Sequence, residues 1–178
     1  MAIEIVFETH STSEDNERGV ASGWAHSRLS TLGREQAGAL GARRRDDGID
    51  TVFSSDLRRA VETAEIAFTG SDVPLLLDWR LRECDYGLET EGPVIRHHAE
   101  RCHHVELPYP GGESWTEAVR RVDRFLDDLV LRWEGRRVLL IGHVATRWAL
   151  DHLIDDVALT ALCAADFAWQ EGWEYRLG

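Results

Sequence analysis

Short β-branched runs alternate along this chain with stretches in which apolar residues return every three or four positions. Residues 3–7 form the first run, Ile3-Glu4-Ile5-Val6-Phe7, which alternates and then turns wholly apolar, as a strand entering a core does. It stops at Thr9-His10-Ser11-Thr12-Ser13, a turn-prone polar segment. Residues 14–24 are polar and contain glycine, which predicts a loop. Ser30 is placed to cap a helix over 31–45, with Leu32, Ala37, Ala39 and Leu40 on its apolar positions. A strand over 49–53 leads into Ser54-Ser55-Asp56, good capping residues. Leu57, Ala60, Val61, Ala64, Ala67 and Phe68 then recur at helical spacing.

A third strand is expected over 73–77. Residues 88–112, with Pro93, Pro108 and Pro110, are the least regular, and predict a lid-like insertion with a short helix near 94–101. Ser114-Trp115-Thr116-Glu117 is a capping box. The helix it opens carries one apolar stripe from Trp115 to Trp133 and closes at Gly135. Val138-Leu139-Leu140-Ile141 reads as a buried strand, 145–154 as a helix, and 167–169 with 173–177 as a terminal hairpin. Strands alternating with helices predict one domain over 1–178, an α/β three-layer sandwich around a mostly parallel sheet.

Composition narrows the function. The 178 residues are 43% hydrophobic, enough for one real core. No apolar run reaches the ~20 residues of a membrane span, and the first residues do not read as a signal peptide. Three cysteines, Cys84, Cys102 and Cys163, lack CxxC spacing, which fits a reduced, cytoplasmic setting. The net charge of −12 argues against nucleic acid and against an anionic membrane as partners. All 20 basic residues are arginine, so lysine Schiff-base chemistry and a Walker P-loop are excluded. A phosphate or carboxylate must be held by arginine, histidine or backbone N–H groups.

Four chemical groups follow predicted strands: His10, Arg59, Glu83 and His143. In a parallel α/β sheet the carboxyl ends of the strands share one edge, where ligands bind. Two histidines, an arginine and a carboxyl group suffice for phosphoryl transfer through histidine. A neutral imidazole attacks phosphorus, Arg and the second His neutralise the equatorial oxygens, and the carboxyl group protonates the leaving oxygen and then deprotonates water. Arg58 and Arg59 both fall in the first turn of a helix, where positive charge is disfavoured unless an anion compensates.

The motifs resemble those of the histidine phosphatase superfamily, in its phosphoglycerate mutase-like branch. The resemblance covers nearly the whole chain. It runs through Asn16 and Ser22-Gly23-Trp24, then Leu29-Ser30-Thr31-Leu32-Gly33-Arg34-Glu35-Gln36-Ala37. Its most specific piece is Ser54-Ser55-Asp56-Leu57-Arg58-Arg59-Ala60-Val61-Glu62-Thr63-Ala64. Leu81-Arg82-Glu83-Cys84-Asp85-Tyr86-Gly87, Gly111-Gly112-Glu113-Ser114 and Ile141-Gly142-His143 follow in order. The resemblance implies His10 as phosphorylated nucleophile, Arg59 and His143 as phosphate ligands and Glu83 as acid and base. Thr9, Ser11, Asn16, Ser22, Gly23, Tyr86 and the backbone N–H of Val144 would line the site. It implies a small phosphorylated substrate, no cofactor and no metal, and is compatible with a homodimer.

The family's hallmark is Arg-His-Gly, where this chain has Thr9-His10-Ser11. Losing one charge-assisted contact to the phosphoryl group costs about 10²–10³ in rate. Three outcomes are open. Another arginine (Arg18, Arg28, Arg80 or Arg147) fills the gap, giving a phosphatase. The hydroxyls of Thr9, Ser11 and Thr12 suit different chemistry on an unusual substrate. Or catalysis is weakened or lost and the protein binds a ligand. Mutase activity is disfavoured because 88–112 holds only Arg96 and Arg101, beside four acidic residues. His97, His98, Cys102, His103 and His104 in that segment read as a polar lid rather than a metal site, since adjacent helical residues face different ways.

Overall fold

The computed structural model describes residues 1–178. Its central sheet has five strands in the order β4-β3-β6-β1-β7. These are β1 (Ile3–Thr9), β3 (Thr51–Ser54), β4 (Leu75–Leu77), β6 (Arg137–Gly142) and β7 (Trp173–Leu177). The first four run parallel, and β7 lies antiparallel on β1. Two further short strands, β2 (Val20–Ala21) and β5 (Gly92–Pro93), pair with each other.

Helices cover both faces. On one, Ile3, Ile5, Phe7 and Leu140 pack with α5 (Trp115–Arg132) and α6 (Val144–Leu153). On the other, Val6, Val52, Leu139 and Ile141 pack with α2 (Thr31–Arg44) and α3 (Arg58–Ala67). Strands buried on both faces explain why β6 reads as an unbroken apolar run. Ser30 caps α2 through the Gly33 N–H, and the Ser114–Glu117 capping box opens α5, both as expected. Gly33 cannot carry a side chain, because a Cβ there would lie 1.9 Å from the Thr12 carbonyl oxygen. That close approach seats the start of α2 under the His10 loop.

Four expectations change. The segment after His10 is not all loop. Ser13 and Asn16 form a capping box on α1 (Glu14–Arg18), which Gly19 closes at φ 68°. Leu57, rather than Ser54, Ser55 or Asp56, sits at the cap of α3, because Ser55 and Asp56 are turned to His143 and Arg82. The terminal hairpin does not form. Residues 167–169 are not a strand, and 173–177 finds a better-buried partner in β1. Ahead of it lies α7 (Leu159–Ala164), which the sequence reading lacked. The insertion at 88–112 does contain a helix, α4 (Val94–Glu100). No helix is long and apolar enough to cross a membrane.

Candidate active site

Parallel pairing sets Thr9 beside Gly142 and Ser54 beside Ile141. The chain therefore leaves three adjacent strands at one edge, and the next residues, His10, His143 and Ser55, lie side by side. The His10 and His143 ring centroids are 4.9 Å apart. Arg59, in the first turn of α3, reaches up between them. Its Nε donates to His10 Nε2 and its Nη2 to His143 Nδ1, both at 3.3 Å. Two more of its donors go to the carbonyls of Gly23 (2.9 Å) and Ala25 (3.1 Å). No carboxylate pairs with Arg59. Burial lowers its pKa, with Glu83 pulling the other way, and a guanidinium stays charged regardless. The positive charge at the start of α3 thus stands uncompensated, aimed at the cavity.

The hydrogen bonds assign both tautomers. His10 Nδ1 lies 2.7 Å from the Ser11 carbonyl, which can only accept, so Nδ1 carries the proton and Nε2 is the unprotonated nitrogen, its lone pair accepting from Arg59 Nε. Burial, with Arg59 alongside, pushes His10 down to about 3 against the pull of its Ser11 bond. The ring is neutral at any ordinary pH. His143 accepts from Arg59 at Nδ1, so its Nε2–H points to Ser55 Oγ at 3.0 Å. Burial, then Arg59 and His10, hold it well below the usual imidazole range.

Glu83 closes the far side. Its Oε1 accepts from the N–H of Cys84 (2.9 Å) and Ala145 (3.0 Å), at the start of α6. Burial raises its pKa, and these N–H bonds and Arg59 only partly offset that. A carboxyl group shifted upward holds its proton longer and can act as an acid.

These four groups line one cavity of about 260 Å³ together with Thr9, Asn16, Ser22, Gly23, Tyr86 and Val144. The Asn16 carbonyl oxygen is occupied by the Ser13 N–H, so its NH₂ is what it can offer a ligand. The Ser22 hydroxyl donates to Asp15 at 2.7 Å. Gly23 is at φ 49°, and a Cβ there would sit 3.0 Å from the Tyr86 ring. Ser11 stands apart from the others. It lines a second cavity of about 430 Å³ on the far side of His10, and what it gives the site is its carbonyl. Thr9, His10 and Asn16 border both cavities.

None of the four arginines considered as replacements for the absent one lines the smaller cavity. Arg18 pairs with Asp15, Arg80 with Asp78 and Asp128, and Arg147 with Asp151, while Arg28 is exposed. Arg59 is the only guanidinium there. The histidine-rich segment divides: His97 packs on Tyr86, His104 stacks on Tyr109, and His98 borders the cavity. No group of three His, Cys, Asp or Glu side chains is arranged to hold a metal. Neither Trp24 nor Trp115 lines the cavity. Trp24 donates to the Glu83 carbonyl and Trp115 is buried. His98 lies at the cavity mouth, as a polar lid residue would, but sequence reasoning did not anticipate Val20, Val94 or Phe167 there, because they arrive from three separate segments.

The family model of the histidine phosphatase superfamily (branch 1) matches residues 5–165. The chain belongs to that superfamily. Among curated relatives, the bifunctional protein Rv2228c of Mycobacterium tuberculosis is 34% identical over 144 residues, 76% of this chain. The chain spans only 39% of that relative's length. A putative phosphoserine phosphatase 2 of Hydrogenobacter thermophilus is 32% identical, with 86% of this chain and 79% of that protein covered. A 2,3-bisphosphoglycerate-dependent phosphoglycerate mutase of Neisseria meningitidis is 28% identical, covering 88% and 86%. The solved structure of Bacillus stearothermophilus YhfR superposes with a TM-score of 0.83 at 27% identity, over 95% of this chain and 88% of that one. Superfamily relatives thus carry the names of phosphatases and mutases, and the phosphoglycerate mutase-like fold is shared.

Proposed function

We propose that this protein is a metal-independent phosphatase of small phosphomonoesters, acting through a phosphohistidine on His10. The observation that carries the reading is the state of His10: neutral, its Nδ1–H tied to Ser11, its Nε2 lone pair facing the Arg59 guanidinium and the Glu83 carboxyl across one cavity. In the first step the Nε2 lone pair bonds to phosphorus and the ester P–O bond breaks. Glu83 gives its proton to the leaving oxygen. In the second, Glu83 as carboxylate takes a proton from water, whose oxygen bonds to phosphorus as the P–N bond breaks. Arg59 and the N-terminus of α6 neutralise the phosphoryl oxygens, and His143, a neutral ligand, donates to one of them by turning its Nε2–H from Ser55. Mutase action has less support, since Arg96 is paired with Glu89 and Glu100, and Arg101 with the carbonyls of Cys163 and Ala165. A cytoplasmic location fits the three free cysteines.

The test is hydrolysis of phosphomonoesters in EDTA by the wild type and by His10→Ala, with acid-labile ³²P trapped on the protein. His10-dependent turnover with a trapped phosphohistidine is expected. Its absence across a broad ester panel sinks the reading. The second reading is a weakened or ligand-binding member, favoured by Arg59 being the only guanidinium in the cavity. Thr9→Arg separates the two. A rise in kcat of ~10-fold or more, within the 10²–10³ one such contact supplies, marks an enzyme limited by that side chain.

A further inference from the structure

The cavity changes character between floor and mouth. Arg59, Glu83 and His143 at the floor are buried. The mouth is made by Val20, Val94, His98 and Phe167, all partly or fully exposed. They come from β2, from two turns of α4 and from the segment between α7 and β7. Three of the four are apolar, and Tyr86 continues that surface inward. Its phenol is held protonated, since burial and then Glu83 push it far above its usual value.

No guanidinium lines the mouth, and Arg101 reaches it only as a charge behind His98. Arg18 is committed to Asp15, Arg96 to Glu89 and Glu100, and Arg101 to two backbone carbonyls. His98 remains, and burial, with Arg101 and His97 adding to it and Asp166 opposing, lowers its pKa. It offers a neutral imidazole. A second anion on the substrate would leave water for valine and phenylalanine, between the opposed fields of Arg101 and Asp166, with no guanidinium in the lining of the mouth to bond it.

We propose that the site selects phosphomonoesters of a small apolar alcohol, aryl or short alkyl, and discriminates against esters that carry a second anionic group. This rests on the phosphatase reading above. The volume of about 260 Å³ falls just under the roughly 300–1,000 Å³ of pockets that enclose larger ligands. One phosphoryl group and one ring fill it. Discrimination of this kind arises because the apolar rim gives a carboxylate nothing in exchange for its hydration.

The matched pair of phenyl phosphate and 4-carboxyphenyl phosphate tests it. The carboxylated phenol is the better leaving group, so chemistry alone favours the second ester. The expected kcat/KM is at least ~10-fold higher for phenyl phosphate. Val94→Arg, at a half-exposed position in the first turn of α4, should narrow that ratio at least ~5-fold by pairing with the carboxylate. Equal or reversed preference in the wild type overturns the inference. Calorimetric binding of both esters to His10→Ala separates this from the reaction. The same order of affinity without any wild-type turnover removes the phosphatase reading and leaves the ligand class standing. Turnover without the preference does the reverse. Failure of both esters to bind and to react overturns both.

Discussion

His10 and Glu83 are both displaced from their usual titration ranges, in opposite directions and for one reason. Burial disfavours whichever form is charged, so the imidazole gives up its proton more readily and the carboxyl holds its proton to higher pH. With His10 pushed down to about 3, protonation of the nucleophile cannot limit the rate on the acid side between pH 5 and 7. The alkaline side belongs to Glu83. As pH rises through its elevated pKa the acid form is lost and kcat falls. In Glu83→Gln that descending limb should vanish, with kcat lower by about 10²–10⁴ for alkyl phosphates. The loss should be smaller for 4-nitrophenyl phosphate, whose leaving oxygen needs no proton. A pH–rate profile of both proteins on both esters checks this. At this scale the floor of the site was legible, because each group follows a strand at a motif spacing. The apolar part of its mouth was not, because nothing local in Val20 or Phe167 encodes where distant segments will meet.

Helix α5 fixes the loop that carries Glu83 without entering the cavity. From its middle, Arg121 donates to the carbonyls of Arg80 (2.7 Å), Arg82 (3.2 Å) and Glu83 (3.1 Å), and forks onto the Glu113 carboxylate. One buried guanidinium thus gathers the backbone on both sides of the acid. Arg121→Met should remove about 3–5 kcal/mol of stability, because Glu113 and three carbonyls lose a buried partner. In the fraction that remains folded, kcat should fall by about 10²-fold with KM nearly unchanged, since the acid is displaced while the phosphate ligands are not. Urea unfolding and steady-state kinetics on one preparation read both effects. Arg121 sits inside an amphipathic stripe and read as one more polar helix position. Helix periodicity announces which residues face inward, not which carbonyls they will meet. The same limit explains the last 20 residues. Trp173 to Leu177 has the composition of a strand, but its partner is β1 rather than the nearest apolar stretch.

Over the whole molecule, a net charge of −12 surrounds a cavity with one guanidinium. A dianionic ester approaches against the field of the protein and feels Arg59 only at close range. Added salt should therefore speed encounter. Between about 20 and 200 mM salt, kcat/KM for phenyl phosphate is expected to rise by about 2–10-fold, as the screening length shortens. Stopped assays at constant pH measure it, and a falling slope would mean that the local field of Arg59 dominates. The sheet order adds a consequence of another kind. The strand that ends in His10 pairs only with β6 and β7, about 130 residues or more further along. During synthesis it is made well before either partner and meets neither until about 130 more residues have been added. At about 5–20 residues per second that interval is on the order of 6–30 s. Throughout it, Ile3, Ile5, Val6 and Phe7 lack both strands they pair with, so the strand that leads to the proposed nucleophile is a segment of the nascent chain in need of a chaperone.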